Sequence, residues 1–171
     1  MLTELFALFV LLNQESTIYK IRKNIKKYFY LFHNSSLGAV QPALKKLYAG
    51  NYVSLKKLMS SGGQKSSIYT ITPQGKKYFE QLILQDLPEN PATSNQIAKI
   101  KVLLLPLLKK ELKVEAIQSL KTYYSNKLLD FEDYMANFEN PDFQRINKDY
   151  IKRCMDEITE ELNWLKFQEL V

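Results

Sequence analysis

The sequence predicts a mainly α-helical protein with one small β-hairpin, an N-terminal helix–hairpin–helix module followed by a pair of long C-terminal helices. Three observations carry that prediction. Residues 34–53, NSSLGAVQPALKKLYAGNYV, read as a short helix with cap residues at its start and Gly50-Asn51 at its end. Residues 52–59 and 67–72 are two strand-like runs about a glycine-containing turn. From residue 114 onward, apolar side chains recur at a nearly heptad spacing.

Bulk composition narrows the class. With 46% hydrophobic and 25% charged residues, the chain has the make-up of a globular protein and not of a disordered one. Cys154 is the only cysteine, so no intrachain disulfide forms, and a reducing, cytoplasmic setting is expected. The apolar start is interrupted by Glu4 and is too short to span a bilayer; a buried first helix is expected instead, with no membrane partner. Charge is uneven. Residues 1–84 hold 12 Lys+Arg against 3 Asp+Glu, whereas residues 85–171 hold 12 against 15. A basic half beside a mildly acidic half suggests one region facing a polyanion and one facing a partner.

Taken in order, residues 2–13 are apolar on nearly all sides except near Thr3 and Glu4, so this helix needs burial on more than one face. It is expected to pack under the module and to offer Leu5 and Phe9 to a second subunit. Asn13 to Thr17 form a turn, and Ser16 or Thr17 caps a helix running to about Tyr30 with Ile18, Ile21, Ile25 and Phe29 inward. Lys20, Arg22, Lys23, Lys26 and Lys27 lie on its outer face.

In the next helix Val40, Ala43, Leu44 and Leu47 form the apolar stripe, while Gln41, Lys45 and Lys46 fall off it. Pro42 requires that the helix begin within about a turn of it, near Gly38 or Ala39. The hairpin follows, with its tip at Gly62 to Ser66. Thr72 or Pro73 then opens another helix. Helix, hairpin and helix in this order make a winged helix-turn-helix, expected to span residues 1–85.

Asp86-Leu87-Pro88-Glu89-Asn90-Pro91 breaks the pattern, and residues 92–171 are expected to be a helical dimerisation domain. Residues 95–108 have helical period, ended or kinked at Leu105 by Pro106. From Val114 to Phe138 a seam runs through Ile117, Leu120, Tyr124, Leu128, Phe131, Met135 and Phe138. After Asn140-Pro141 a second seam runs through Ile151, Met155, Ile158, Leu162 and Leu165. The two helices make an antiparallel hairpin whose seam suits dimerisation or, alternatively, covers the winged helix within one chain. Trp164, one place off the seam, either lines an aromatic effector pocket or is simply core.

Catalysis is not expected. Among the motifs absent are HExxH, CxxC, GxSxG and a phosphate loop of the right spacing, and one His with one Cys about 120 residues away is no metal site. No cofactor or metal is expected. Double-stranded DNA is the expected partner, because the major groove admits one helix whose N-terminal side chains reach base edges. Gln41 suits adenine, Ala39 a thymine methyl, and Gly38 a close backbone approach. Ser35 and Ser36, beside helix N-terminal amides, suit a phosphate. Lys45, Lys46, Lys65 of the wing with its neighbour Ser66, and Arg22 and Lys23 of the preceding helix would add backbone contacts. A solvent-facing Gln41 is the bland alternative.

LGAVQPALKKLYAGNYV, the hairpin, IYTITPQGKKYFEQL and the upstream LFALFVLLNQESTIYKIRKNI together resemble the PadR-like winged-helix regulators. The resemblance is close over the first half and architectural over the second. It implies a homodimeric transcriptional regulator, a repressor of a pseudo-palindromic operator responsive to a small molecule, dimerising through its C-terminal helices. It also implies that Tyr19 lies near DNA, although a core or dimer-contact tyrosine fits the residues as well. Two departures stand out. The family commonly has Tyr before Pro42 where this chain has Gln41, and its wing is more basic and tyrosine-rich than Gln64-Lys65-Ser66-Ser67-Ile68-Tyr69. They imply an altered sequence preference, weaker wing contacts, or a winged helix turned to protein binding as an interaction module.

Overall fold

The computed structural model of the protein describes residues 1–32, 37–59, 65–137 and 141–170. It contains α1 (Leu2–Asn13), β1 (Ser16–Thr17), α2 (Ile18–Phe29), a 3-10 turn (Leu37–Ala39), α3 (Val40–Ala49), β2 (Val53–Met59), β3 (Lys65–Ile71) and α4 (Pro73–Leu84). Then come α5 (Pro91–Leu104), a second 3-10 turn (Leu105–Leu107), α6 (Lys110–Asn137) and α7 (Pro141–Leu170). The expected class, mainly helical with a small β wing, is the class observed. Contacts divide the chain into two compact units, Met1–Leu104 and Leu105–Val171.

In the first unit, α1 supplies the centre of the core. Leu5, Phe6, Ala7, Leu8, Val10 and Leu11 are buried together with Ile21, Ile25 and Phe29 of α2 and the α3 stripe Val40, Ala43, Leu44 and Leu47. A helix buried over so much of its girth needs apolar residues at nearly every position, and LTELFALFVLLN supplies them. Phe6 stacks on Phe29 with centroids 4.1 Å apart, and Phe9 meets Phe29 edge-on at 5.1 Å.

The sheet is three-stranded and antiparallel, in the order β1-β3-β2. The expected hairpin is present, with Val53 opposite Ile71 and Met59 opposite Lys65. β1 was not expected. Ser16 and Thr17 read as a turn, yet they pair with Tyr69 and Ile68 and so cover the second edge of β3. Thr17 also caps α2, accepting from the Lys20 amide.

Both ends of the hairpin are fastened by local chemistry. α3 closes with a Schellman arrangement in which the Tyr52 amide donates to the Leu47 carbonyl at 2.9 Å and the Asn51 amide to the Tyr48 carbonyl at 3.0 Å. The left-handed residue is Asn51, with φ of 58°, and Gly50 keeps a negative φ. At the other end, the Thr72 hydroxyl accepts from the Gly75 amide at 2.9 Å and so caps α4. The same hydroxyl shares its proton between the carbonyls of Asn51 at 2.8 Å and Tyr52 at 3.1 Å. The start of α3 differs from expectation. A 3-10 turn precedes it and Ala39 is its N-cap residue with no side-chain hydrogen bond; the expected cap residues Asn34, Ser35 and Ser36 lie outside the described residues.

The break at 86–91 is real, but the division into compact units falls later, at Leu104/Leu105. α5 remains with the first unit because Ile97, Ala98, Ile100, Lys101 and Leu104 are buried and because Lys101 donates to the Gln85 carbonyl just past α4. Pro106 lies in the 3-10 turn after α5, where its missing donor ends the α-helix.

In the second unit α6 and α7 pack on each other. Ile117, Leu120 and Tyr124 on α6 and Ile151, Ile158 and Leu165 on α7 are buried, and Lys121 donates to both carboxylate oxygens of Glu169 at 3.0 Å. The Tyr124 hydroxyl is buried without a hydrogen-bond partner. Among the described residues, no helix is long and apolar enough to cross a membrane.

Candidate nucleic-acid interface

α3 is held by its apolar stripe and displays two different flanks. At 3.6 residues per turn, Gln41, Lys45 and Tyr48 occupy one flank within about 60° of arc, and Lys46 lies roughly 140° around from Gln41. Gln41, Pro42 and Lys45 are exposed, and Tyr48 is 52% exposed. Gly38 is exposed and Ala39 half-buried in the turn that leads into the helix. This flank joins an amide side chain, an ammonium and a phenol in a row about 10 Å long. Hydrogen bonds to base edges and charge-assisted bonds to phosphate are within that repertoire.

α2 presents a second row. Tyr19 is 73% exposed in its first turn, and Lys20, Lys23, Lys26 and Lys27 are exposed. Arg22, expected on the outer face, is half-buried, and its Nε is enclosed without a hydrogen-bond partner among the described residues. Between these rows, Ser35 and Ser36 lie outside the described residues, as do His33 and the wing tip. So does the Lys65 side chain; its backbone belongs to β3, beside exposed Ser66.

Lys46 departs from expectation. Its ammonium donates to Glu4 Oε1 at 2.9 Å, and Tyr78 donates to the other carboxylate oxygen at 3.0 Å. The Glu4 side chain is 6% exposed, whereas that of Lys46 is 67% exposed. Burial alone would raise the Glu4 carboxyl, but the hydrogen bonds from Lys46 and Tyr78 outweigh it and hold the group below its ordinary 4.5. The same hydrogen bond raises Lys46, while burial and then the Glu4 bond push Tyr78 up to about 12. Tyr78 in turn stacks on Tyr52, centroids 3.9 Å apart and planes 9° from parallel. Glu4, read from the sequence as the polar edge of α1, is therefore the buried junction of α1, α3 and α4.

Residues that sequence reasoning passed over include Tyr48 and the exposed Lys56 and Lys57 of β2. The Gln41, Lys45, Tyr48 spacing of four and three was the available signal for the first, and the KK pair in the strand for the others. The residues expected at a dimer contact differ in their exposure. Leu5 is 1% exposed and is consumed by the first unit's core. Phe9, half-buried, already meets Phe29 and Tyr28 of its own chain. Leu120, Tyr124, Ile151, Ile158 and Leu165 are buried within one chain, whereas Leu128, Phe131, Met155 and Leu162 keep partial exposure. Trp164 is 41% exposed.

These elements, an exposed flank on the second helix of a helix-turn-helix, a cationic helix before it and a β wing after it, define a winged helix-turn-helix. Residues 7–81 match the model of the "Transcriptional regulator PadR-like family". Among solved structures, the chain is similar to Bacillus subtilis PadR in complex with operator DNA, at 18% identity over 99% of this chain and 98% of that one, with a TM-score of 0.47. It is similar to smu.1604c from Streptococcus mutans UA159, at 17% identity over 98% of both chains and a TM-score of 0.47. Bacillus subtilis PadR in complex with p-coumaric acid matches at 18% identity over 97% and 92%, with a TM-score of 0.41. The comparison with curated proteins gives no match.

Proposed function

We propose that this protein is a transcriptional regulator, a homodimeric repressor that places the N-terminal half of α3 in the major groove of a pseudo-palindromic operator, and that a small molecule relieves it. The observation that carries the reading is the exposed polar flank of α3, Gln41 with Lys45 and Tyr48, standing clear of a buried apolar stripe. Gln41 reads a base edge, with Gly38, Ala39 and Pro42 setting the approach. Lys45, Arg22, Lys23 and Tyr19 hold phosphates or sugars on either side, and Ser35, Ser36, Lys65 and Ser66 are assigned to the same backbone track. Two such modules one helical turn apart would require the operator to share their two-fold symmetry.

The second unit supplies the dimer contact in this reading. Because its seam is filled within one chain, the contact falls to the partly exposed Leu128, Phe131, Met155 and Leu162 and to outward Leu129, Ile146, Tyr150 and Phe167. An effector acts by binding one arrangement of the two modules better than the other, and exposed Trp164 is the candidate aromatic contact for it. The setting is cytoplasmic.

The test is fluorescence anisotropy with a duplex from the promoter upstream of the protein's own gene and a scrambled control, across a salt series. Wild type should prefer the first duplex, and Gln41→Ala with Lys45→Ala should abolish that preference. Equal, weak and salt-insensitive binding to both duplexes, unchanged by the substitutions, would replace this reading with a protein-interaction module. A preference that survives the substitutions would keep the function and remove these residues from it.

A further inference from the structure

We propose that Lys46, although exposed, is a positioning residue that fixes the rotation of α3 through Glu4 and Tyr78, and is not one of the phosphate contacts; this rests on the DNA-binding reading above. Three observations lead there. The Lys46 ammonium is already committed, at 2.9 Å, to a carboxylate that is almost completely enclosed. That carboxylate is held on its other oxygen by Tyr78, itself stacked on Tyr52 at the start of the hairpin. And Lys46 projects from the flank of α3 opposite to Gln41, about 140° around the helix.

The asymmetry of the pair decides which partner keeps the lysine. Water readily solvates an exposed ammonium, but a buried carboxylate that loses its 2.9 Å donor keeps only Tyr78 and the N-terminal ammonium, the latter at 3.6 Å. Moving Lys46 to a phosphate would therefore strip Glu4 of its nearest, hydrogen-bonded cation, and the phosphate would gain only a contact that Lys45 can supply. The ion pair also spans elements far apart in the chain, joining α1 to the reading helix while Tyr78 brings in α4. A tether at that point resists the rolling of α3 about its own axis, which is the motion that would carry Gln41 out of register with a base edge. Affinity for any duplex needs charge; discrimination between duplexes needs this orientation.

The experiment compares the full-length protein with Lys46→Met, Lys46→Arg, Glu4→Gln, the double variant Glu4→Gln/Lys46→Met, and Lys45→Met as the phosphate-contact reference. Each is titrated with the promoter duplex and the scrambled duplex between low and high salt, with the folded fraction checked by circular dichroism. Lys45→Met should lower the salt slope by about 0.9. Lys46→Met, Glu4→Gln and the double variant should leave the slope unchanged and cut the preference between duplexes by about tenfold, with Lys46→Arg restoring it. Partial unfolding would reduce binding to both duplexes alike, so loss of preference alone marks positioning. The double variant leaves no unpaired buried charge, which keeps the test open if either single variant folds poorly. A slope reduced by about 0.9 in Lys46→Met with the preference retained would overturn the proposal and leave the DNA-binding reading standing. A wild type without salt-dependent preference would overturn both.

Discussion

Gly75 lies directly against the carbonyl of Tyr52, so close that a Cβ at residue 75 would come within 1.9 Å of the Tyr52 oxygen and 2.9 Å of its carbonyl carbon. That oxygen also receives the Thr72 amide at 3.1 Å. The first turn of α4 is thus pressed onto the chain leaving α3, at the root of the wing.

Gly75→Ala should therefore destabilise the first unit by about 2 kcal/mol or more, because backbone, unlike a flexible side chain, cannot yield to the added methyl. Urea unfolding followed by circular dichroism measures it. A variant as stable as wild type would mean that the α4 root is looser than this contact requires.

Acid should loosen the Glu4 junction in a definite window. The folded-state carboxyl lies below its ordinary 4.5, so the stability it contributes is fully present above 4.5 and is lost as pH falls through the folded value. The stability difference between wild type and Glu4→Gln should accordingly be largest near neutrality and shrink below pH 4.5. Urea titrations of both proteins at a series of acidic pH values test the sign; a gap that widens in acid would contradict it.

Lys101 works in the opposite sense. Burial pushes its ammonium down from 10.5 to about 8, with Asp86 opposing only part of the shift. The unfolded chain binds this proton more tightly, so folding bears a constant cost below pH 8, relieved as pH rises from 8 to 10.5. Relative to Lys101→Met, wild type should gain on the order of 2 kcal/mol across that window. Parallel unfolding curves at pH 7 and pH 10 measure the gain, and a relative loss would show that the amine is better solvated than its 2% exposure implies.

Tyr124 makes a prediction for the second unit. Its hydroxyl is buried with no hydrogen-bond partner, and the residue is 2% exposed. Removing an unsatisfied buried group recovers its desolvation cost, so Tyr124→Phe should match or exceed wild-type stability, by up to about 1 kcal/mol. Thermal unfolding at several protein concentrations is the measurement. A loss of about 1 kcal/mol or more would mean that the hydroxyl is satisfied in solution by an acceptor such as ordered water.

What could be read in the sequence was what local chemistry determines. Gly50-Asn51 ends α3, Thr72-Pro73 starts α4, and the alternation of residues 67–72 makes a strand whatever surrounds it. β1 escaped because Ser16 and Thr17 are a strand only by virtue of Tyr69 and Ile68, which no local window contains. Glu4 escaped for the same reason, since its partners are 42 and 74 residues away. Periodicity correctly gave α6 and α7 an apolar face, but a repeat of three and four says which residues want cover and not which chain provides it. The reading flank of α3 was half visible: Gln41 and Lys45 follow from the stripe they avoid, whereas separating Lys45 from Lys46 requires knowing what stands on either side of the helix.

The two-residue strand β1 also bears on how the protein folds in time. Ser16 and Tyr69 are roughly fifty residues apart in the chain, and closing a loop of that length must precede any reward from the pairing. α6 and α7 follow one another closely in the chain and pack on each other, so their contacts need little chain closure and can spread outward from the linked ends. The hairpin of the second unit is therefore the fast-forming part, and the clasp of β1 on β3 belongs to the slow step. Until that clasp forms, one edge of the central strand stays open to pairing with another chain, so a newly made molecule is most prone to aggregate before its first seventeen residues have found residues 68 and 69.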